Sequence, residues 1–226
     1  MCAETVCLCM RLEGPLQSWG TSSQYNRRLT DILPSRSAVT GMLCAAMGLY
    51  RGSPEERAFL QSFMAVHMLA VAVPLRHENK LLPVHRLEDY HTIQHTTKAD
   101  GGKKDCHITR RHYLLDAAFR VFLSGERLLL EKAGEALQDP IWGLWLGRKT
   151  CIPAAPVFAG IFADEQMAIN TCIPEGLGGY LCAREADSFA EGTDSVADTP
   201  LSFASSARAF ALRRVLLIHE GKSDAS

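Results

Sequence analysis

The chain has 226 residues, 47% of them hydrophobic and 22% charged, with a formal net charge of −1. These proportions suit a soluble globular protein with ample length for a core, and the near-neutral total argues against a generic polyanion binder. The charge is unevenly placed, however. Residues 1–163 hold 19 Lys and Arg against 15 Asp and Glu, whereas residues 164–226 hold 5 against 10. A basic N-terminal part of this kind is compatible with a nucleic-acid surface. The longest apolar stretch, Phe63 to Pro74, is interrupted by His67 and is too short to span a bilayer. Met1-Cys2-Ala3-Glu4 lacks the basic start of a secretion signal, and the eight cysteines include no C-x-x-C pair. A cytoplasmic chain of reduced, mostly buried thiols, with no membrane segment, is expected.

In chain order, Val6 to Leu12 is a short, nearly continuous apolar run, the pattern of a central strand buried on both faces. Gly14-Pro15 is expected to end it, and a polar loop follows through Asp31. Pro34-Ser35 offers a cap for a helix over Ser37 to Leu49, whose Ala38, Gly41, Ala45, Ala46 and Gly48 permit tight packing on a sheet. Ser53-Pro54-Glu55-Glu56 is a capping box with Pro at the first helical position, which predicts a short helix to about Phe63. Met64 to Val73, rich in valine, reads as a second strand. From Leu75 to Arg111 the chain turns polar and His-rich around Gly101-Gly102, as in a protruding hairpin. Tyr113 to Leu123 alternates Ala117, Phe119, Val121 and Leu123 as a strand does. Leu128 to Leu137 is an amphipathic helix stopped by Asp139-Pro140. Phe210 to His219 reads as the last strand, after an acidic segment, about 171–204, expected to be irregular. The order predicts a single α+β domain over 1–226, an open sandwich of ferredoxin-like (RRM-like) type.

Trp145-Leu146-Gly147-Arg148-Lys149-Thr150-Cys151 carries the clearest chemistry. Gly147 permits positive φ and close backbone approach. Backbone amides beside Arg148 and Lys149 would form a concave anion site of the kind that holds a phosphodiester. No G-x-x-x-x-G-K-[ST] motif occurs, so this is not a nucleotide-triphosphate loop. Residues 85–112 hold five of the eight histidines. The spacing of His85, His91, His95, Cys106 and His107 matches no standard zinc finger, and neither a metal nor another cofactor is expected.

Three blocks, Gly14-Pro15-Leu16-Gln17-Ser18-Trp19-Gly20, Leu33 to Gly41, and Leu146-Gly147-Arg148-Lys149 running into Pro156-Val157-Phe158-Ala159-Gly160, together resemble one family. Asp89-Tyr90-His91-Thr92 and Arg111 to Ala117 fall between them in the matching order. The chain resembles the CasD ("Cas five") family of CRISPR-associated proteins, in the form found in type I-E Cascade complexes. The resemblance implies a long β-hairpin thumb, about 76–111. It also implies a non-catalytic subunit that grips the 5′ handle of crRNA, touches the backbone and large subunits of Cascade, and lies near target DNA. In related type I-C systems the same family cuts the precursor RNA with a tyrosine and a Lys-His pair. No Lys-His dipeptide occurs here, and Arg111-His112 comes nearest.

For single-stranded RNA, phosphate contacts and base stacking on aromatic or guanidinium planes are needed. Gly147, Arg148 and Lys149 suit the phosphate role. Arg27, Arg28 and Arg36 flank the first helix, with Arg36 at an N-terminus whose amides would add to a phosphate site. Ser35 is a cap or a ligand contact, as is Ser37. Gln17 and Trp19 read or stack a base, or else Trp19 anchors the core. Tyr90 and His91 sit at the hairpin base as RNA contacts or as a hydrogen-bonded corner. Lys98, Lys103 and Lys104 near its tip would meet phosphates. In the binding reading that the resemblance implies, Arg110, Arg111, His112 and Tyr113 would contact handle phosphates and stack a base. In the nuclease alternative, a metal-independent endoribonuclease, His112 would be the general acid or base, Arg111 would stabilise the phosphorane, and Tyr25 or Tyr50 would assist.

Overall fold

The computed structural model describes residues 4–20, 26–73, 76–77, 80–81, 84–97, 101–173 and 180–219. Its elements in chain order are β1 (Thr5–Gln17), β2 (Arg27–Arg28), α1 (Arg36–Ala46), α2 (Pro54–Phe63), β3 (His67–Ala72), β4 (Arg76–His77) and β5 (Lys80–Leu81). There follow β6 (His85–Thr97), β7 (Lys103–Glu126), α3 (Arg127–Gln138), β8 (Phe158–Phe162), α4 (Glu165–Cys172), β9 (Leu181–Glu185), β10 (Asp194–Ser202) and β11 (Ala209–His219). The fold is mixed α/β, built on a large sheet in the order β10-β11-β9-β3-β7-β1-β8, with β2 and β6 also paired to β7. All of its pairs are antiparallel except β2 with β7.

The unbroken apolar run in β1 has a direct cause. Val6, Leu8, Met10 and Leu12 enter one core cluster, under α1, α2 and α3, while Cys7 and Cys9 enter a second one with Ala168 and Ile169 of α4. Alternate residues point to opposite faces, so a central strand covered on both sides must be apolar at every position. The described cysteines form no disulfide, and most are buried.

β1 does not stop at Gly14-Pro15 but runs on to Gln17. In the register of β1 with β7, Gly14 faces Ala117 and Leu16 faces Leu115, so Pro15 meets Asp116, which has φ of 47°. A proline has no N–H to give to the ladder, yet the register of β1 with β7 passes Pro15 unshifted. Asp is among the few side chains that adopt such a φ readily.

Both helix caps are as the sequence predicts. Ser35 accepts from the Ala38 amide at 3.3 Å, and Ser53 from the Glu56 amide at 3.1 Å. The predicted hairpin is present with shifted bounds: residues 85–97 of β6 pair with 103–115 of β7, while β4 and β5 form a separate small pair. β7 is one 24-residue strand that is hairpin arm at its start and sheet centre at its end.

The acidic segment 171–204 is expected to be irregular, but its described residues include two strands. It supplies β9 and β10, which extend the sheet beyond β3. Its acids are partly internal, because Asp198 and Glu185 pair with Arg213 and Arg36, each at 2.6 Å. No helix among the described residues is long and apolar enough to cross a membrane.

Candidate nucleic-acid interface

β2 lies parallel to β7 with Arg27 opposite Arg110 and Arg28 opposite Arg111, and the Arg110 amide donates to the Asn26 carbonyl at 2.8 Å. Four arginines from two remote segments thus stand side by side. Arg27, Arg28 and Arg110 are exposed and Arg111 is half-buried. Among the described residues, Glu88 pairs with Arg110 at 3.0 Å and lies 3.2 Å from His112 Nε2, and Asp89 stands opposite Arg111. Like charges held this close repel one another, and an anionic partner relieves that cost. Exposed Tyr90 stands opposite Arg110, and His91, opposite Thr109, lies 3.7 Å from Asp89.

The Gly147-Arg148-Lys149 turn touches this surface, in a different role from the one its composition suggests. Gly147 has φ of 94°, and a Cβ there would stand 1.7 Å from the Ser18 carbonyl oxygen. Its freedom is therefore spent on seating the turn against β1's end, where Ser18 N–H donates to the Leu146 carbonyl at 3.0 Å. The Gly147 amide donates to Trp145 O at 2.8 Å. Arg148 donates to the carbonyl oxygens of Arg28 (2.8 Å) and His112 (3.0 Å) and lies 4.6 Å over the Tyr113 ring. It clamps β2 to β7. Lys149 is exposed beside it.

Three expected contacts are internal instead. Gln17 and Trp19 are 0% and 1% exposed. Trp19 Nε1 donates to Gln17 Oε1 at 3.1 Å, and Gln17 Nε2 donates to the Leu12 and Ala117 carbonyls. They anchor the core, since a buried amide and indole N–H must find partners. Arg36 is 1% exposed; its guanidinium donates to Glu185 at 2.6 Å and to the Phe63 carbonyl at 2.7 Å. Burial lowers its pKa from the ordinary value, against the opposing pull of Glu185. The α1 N-terminus, expected to hold a phosphate, receives the carboxylate of Asp198 at 2.7 Å from the Arg36 amide. Ser35, 5% exposed, is the cap.

Of the hairpin-tip lysines, Lys103 is exposed, the side chain of Lys104 is not described, and Lys98 lies outside the described residues, as does Tyr25. Arg111 Nε donates to Thr109 Oγ1 at 3.2 Å, and exposed Tyr50 sits edge-on to Trp142 at 5.0 Å. Among the described residues no group of three His, Cys, Asp or Glu could hold a metal ion.

Next to the turn, Gly147 and Arg28 also border a cleft of about 520 Å³ between α1, the 142–147 loop and the β10–β11 hairpin. Arg51, Arg208, Trp142, Trp145 and Phe210 line it. None was picked out from sequence as a site residue. The legible signal was two tryptophans three apart in a Gly-containing loop with no helical or strand pattern to bury them.

Known proteins resemble this chain in sequence and in fold. Residues 7–216 match the family model described as CRISPR-associated protein (Cas_Cas5). The chain is 30% identical over 177 residues to the CRISPR system Cascade subunit CasD of Escherichia coli (strain K12), covering 75% of this chain and 78% of that one. A chain in a solved CRISPR RNA-guided surveillance complex superposes with a TM-score of 0.73 at 24% identity, over 94% of this chain and 89% of that one. The crystal structure of a Cas protein gives a TM-score of 0.59 at 30% identity, over 94% and 93%. With a family match spanning nearly the whole chain and a relative of this identity and coverage, the chain belongs to the CRISPR-associated protein Cas5 family.

Proposed function

We propose that this chain is a subunit of a Cascade-type CRISPR effector complex that grips the 5′ handle of crRNA by its sugar-phosphate backbone and does not cut it. The observation that carries this reading is the pairing of Arg27 and Arg28 with Arg110 and Arg111, fixed from behind by Arg148. Guanidinium groups on a rigid strand pair suit phosphate oxygens by charge and by fork geometry. Similarity to the E. coli Cascade subunit supports the assembly. The central order β3-β7-β1-β8, with α1 after β1 and α3 after β7, supports a ferredoxin-like core. The β6–β7 hairpin is the thumb in this reading, and Lys103 at its tip meets phosphates of RNA or nearby target DNA. Exposed apolar side chains such as Leu212 serve the backbone and large subunits. Function in antiviral surveillance follows from that assembly.

Non-catalysis is supported by similarity to the E. coli Cascade subunit CasD and by the sequence, in which no lysine immediately precedes a histidine. The test is binding of handle RNA to purified protein in EDTA, with the RNA analysed for cleavage. Intact RNA, bound by wild type and at least about tenfold more weakly by Arg27→Ala/Arg28→Ala, is expected. Equal affinity of the variant would overturn the grip, and site-specific cleavage lost in His112→Ala would establish the endoribonuclease instead.

A further inference from the structure

The cleft beside Gly147 contains a feature that phosphate binding leaves unexplained. Glu56 lines it, is 0% exposed, and has one carboxylate oxygen, Oε1, without a hydrogen-bond partner. Its other oxygen accepts from the Gly52 amide at 2.7 Å, completing the cap of α2. A buried carboxylate oxygen left unsatisfied is costly, and it is the sole acid among the described residues that line this cleft, against Arg28, Arg51 and Arg208. At the mouth, Trp142, Trp145 and Phe210 are each between 37% and 39% exposed, so ring surface stays open for stacking.

Cations for a phosphate, aromatic faces for a π-system and one buried acceptor are the components of a nucleobase site. The volume also falls in the small-ligand range, about 300–1,000 Å³. The acceptor sets the choice of base. Adenine and cytosine present exocyclic amino hydrogens that satisfy a carboxylate oxygen. Uracil presents its N3–H between two carbonyl oxygens, which repel one.

We infer that this cleft captures a single unstacked base of the bound RNA and that Glu56 selects a base with an exocyclic amino group over uracil. The inference rests on the RNA-binding reading above and assigns that site a base preference. Arg51 and Arg208 hold the flanking phosphates, and Trp142 or Trp145 stacks on the base regardless of its identity.

The test measures fluorescence anisotropy of the full-length protein with labelled octamers of adenylate, cytidylate and uridylate. The adenylate and cytidylate octamers should bind about tenfold more tightly than uridylate. Glu56→Gln, which keeps an acceptor for the Gly52 amide, should erase that preference, so that the three octamers bind alike. Trp145→Leu should weaken all three alike. An octamer of N6,N6-dimethyladenylate, used on wild type and so independent of any folding defect, should fall to the uridylate level. Equal affinity for all octamers, or full retention of the dimethylated one, overturns base selection and leaves RNA binding standing. Failure to bind any octamer overturns the RNA-binding reading itself.

Discussion

Arg148 donates through Nη2 to the backbone carbonyl of Arg28, 120 residues earlier, at 2.8 Å. Its Nη1 reaches the His112 carbonyl at 3.0 Å, so one side chain fixes the spacing of two strands. A lysine ammonium lacks the planar fork needed to serve both carbonyls over the Tyr113 ring. Arg148→Lys is expected to lose about 1–2 kcal/mol of stability in urea melts and to weaken RNA binding without changing its salt slope. An unchanged melt would show that the clamp is dispensable.

Lys149→Ala separates charge from architecture. Lys149 is exposed next to the clamp, so its removal should leave the urea midpoint alone. If it meets a phosphate of single-stranded RNA, the slope of log affinity against log salt becomes shallower by about 0.7. Loss of stability with no change in slope would reverse the roles given to the two residues.

Gly147→Ala should be the most damaging change in the turn. The new methyl would have to occupy the position of the Ser18 carbonyl at a backbone φ of 94°. Strain of this kind costs about 1–3 kcal/mol before any clash is relieved. The expected result is a lower thermal midpoint together with protease sensitivity near Ser18. A midpoint equal to that of wild type would refute the close approach.

The buried charges make a separate prediction. Arg213 and Asp198 are 8% and 1% exposed at their side chains, and Asp198 also receives the Arg36 amide. Removing one member of a buried pair leaves the other charged and desolvated, at a cost of about 3–5 kcal/mol. Asp198→Ala should therefore unfold at a much lower urea concentration, whereas Asp194→Ala on the exposed start of β10 should be near neutral.

The thiols give the pH dependence. Burial pushes Cys7 up to about 11, with the Ser124 hydroxyl opposing, and pushes Cys44 up to about 12, with Glu56 adding to the effect. For these groups the folded pKa lies above the unfolded value of 9.0. Their contribution to stability is therefore complete below pH 9 and is lost as pH rises through 11 and 12. Urea melts at pH 8 and pH 10.5 should show that loss, and Cys44→Ala should reduce it. In native protein, exposed Cys106 should alkylate first among the described cysteines. Rapid labelling of Cys7 or Cys44 would contradict their burial.

Much of the architecture was legible because it is local. β1 announces its two-sided burial in seven residues, and Ser35 and Ser53 announce their helices. The misread parts depend on remote partners. Asp198 reads as a surface acid in a polar tail until Arg213 and the Arg36 amide are known to surround it, and that concealed β10. Pro15 reads as a strand end until its place opposite Asp116, whose φ is 47°, is known. At the site, Arg27 and Arg28 were legible as cations, but their parallel pairing with Arg110 and Arg111 joins segments that no short-range pattern connects. Gly147 was correctly singled out for its backbone freedom, yet what demands that freedom is the Ser18 carbonyl, invisible until the chain is folded.

Because the hairpin is the outward continuation of β7, its possible lengths are quantised. Adding two residues to each arm would carry the tip outward by about 7 Å and keep every side chain on its present face. Adding one would turn the outer ribbon over and swap the faces presented by Tyr90 and His91 against their neighbours. Relatives whose hairpins differ in span should differ by even steps per arm, or else carry a compensating bulge.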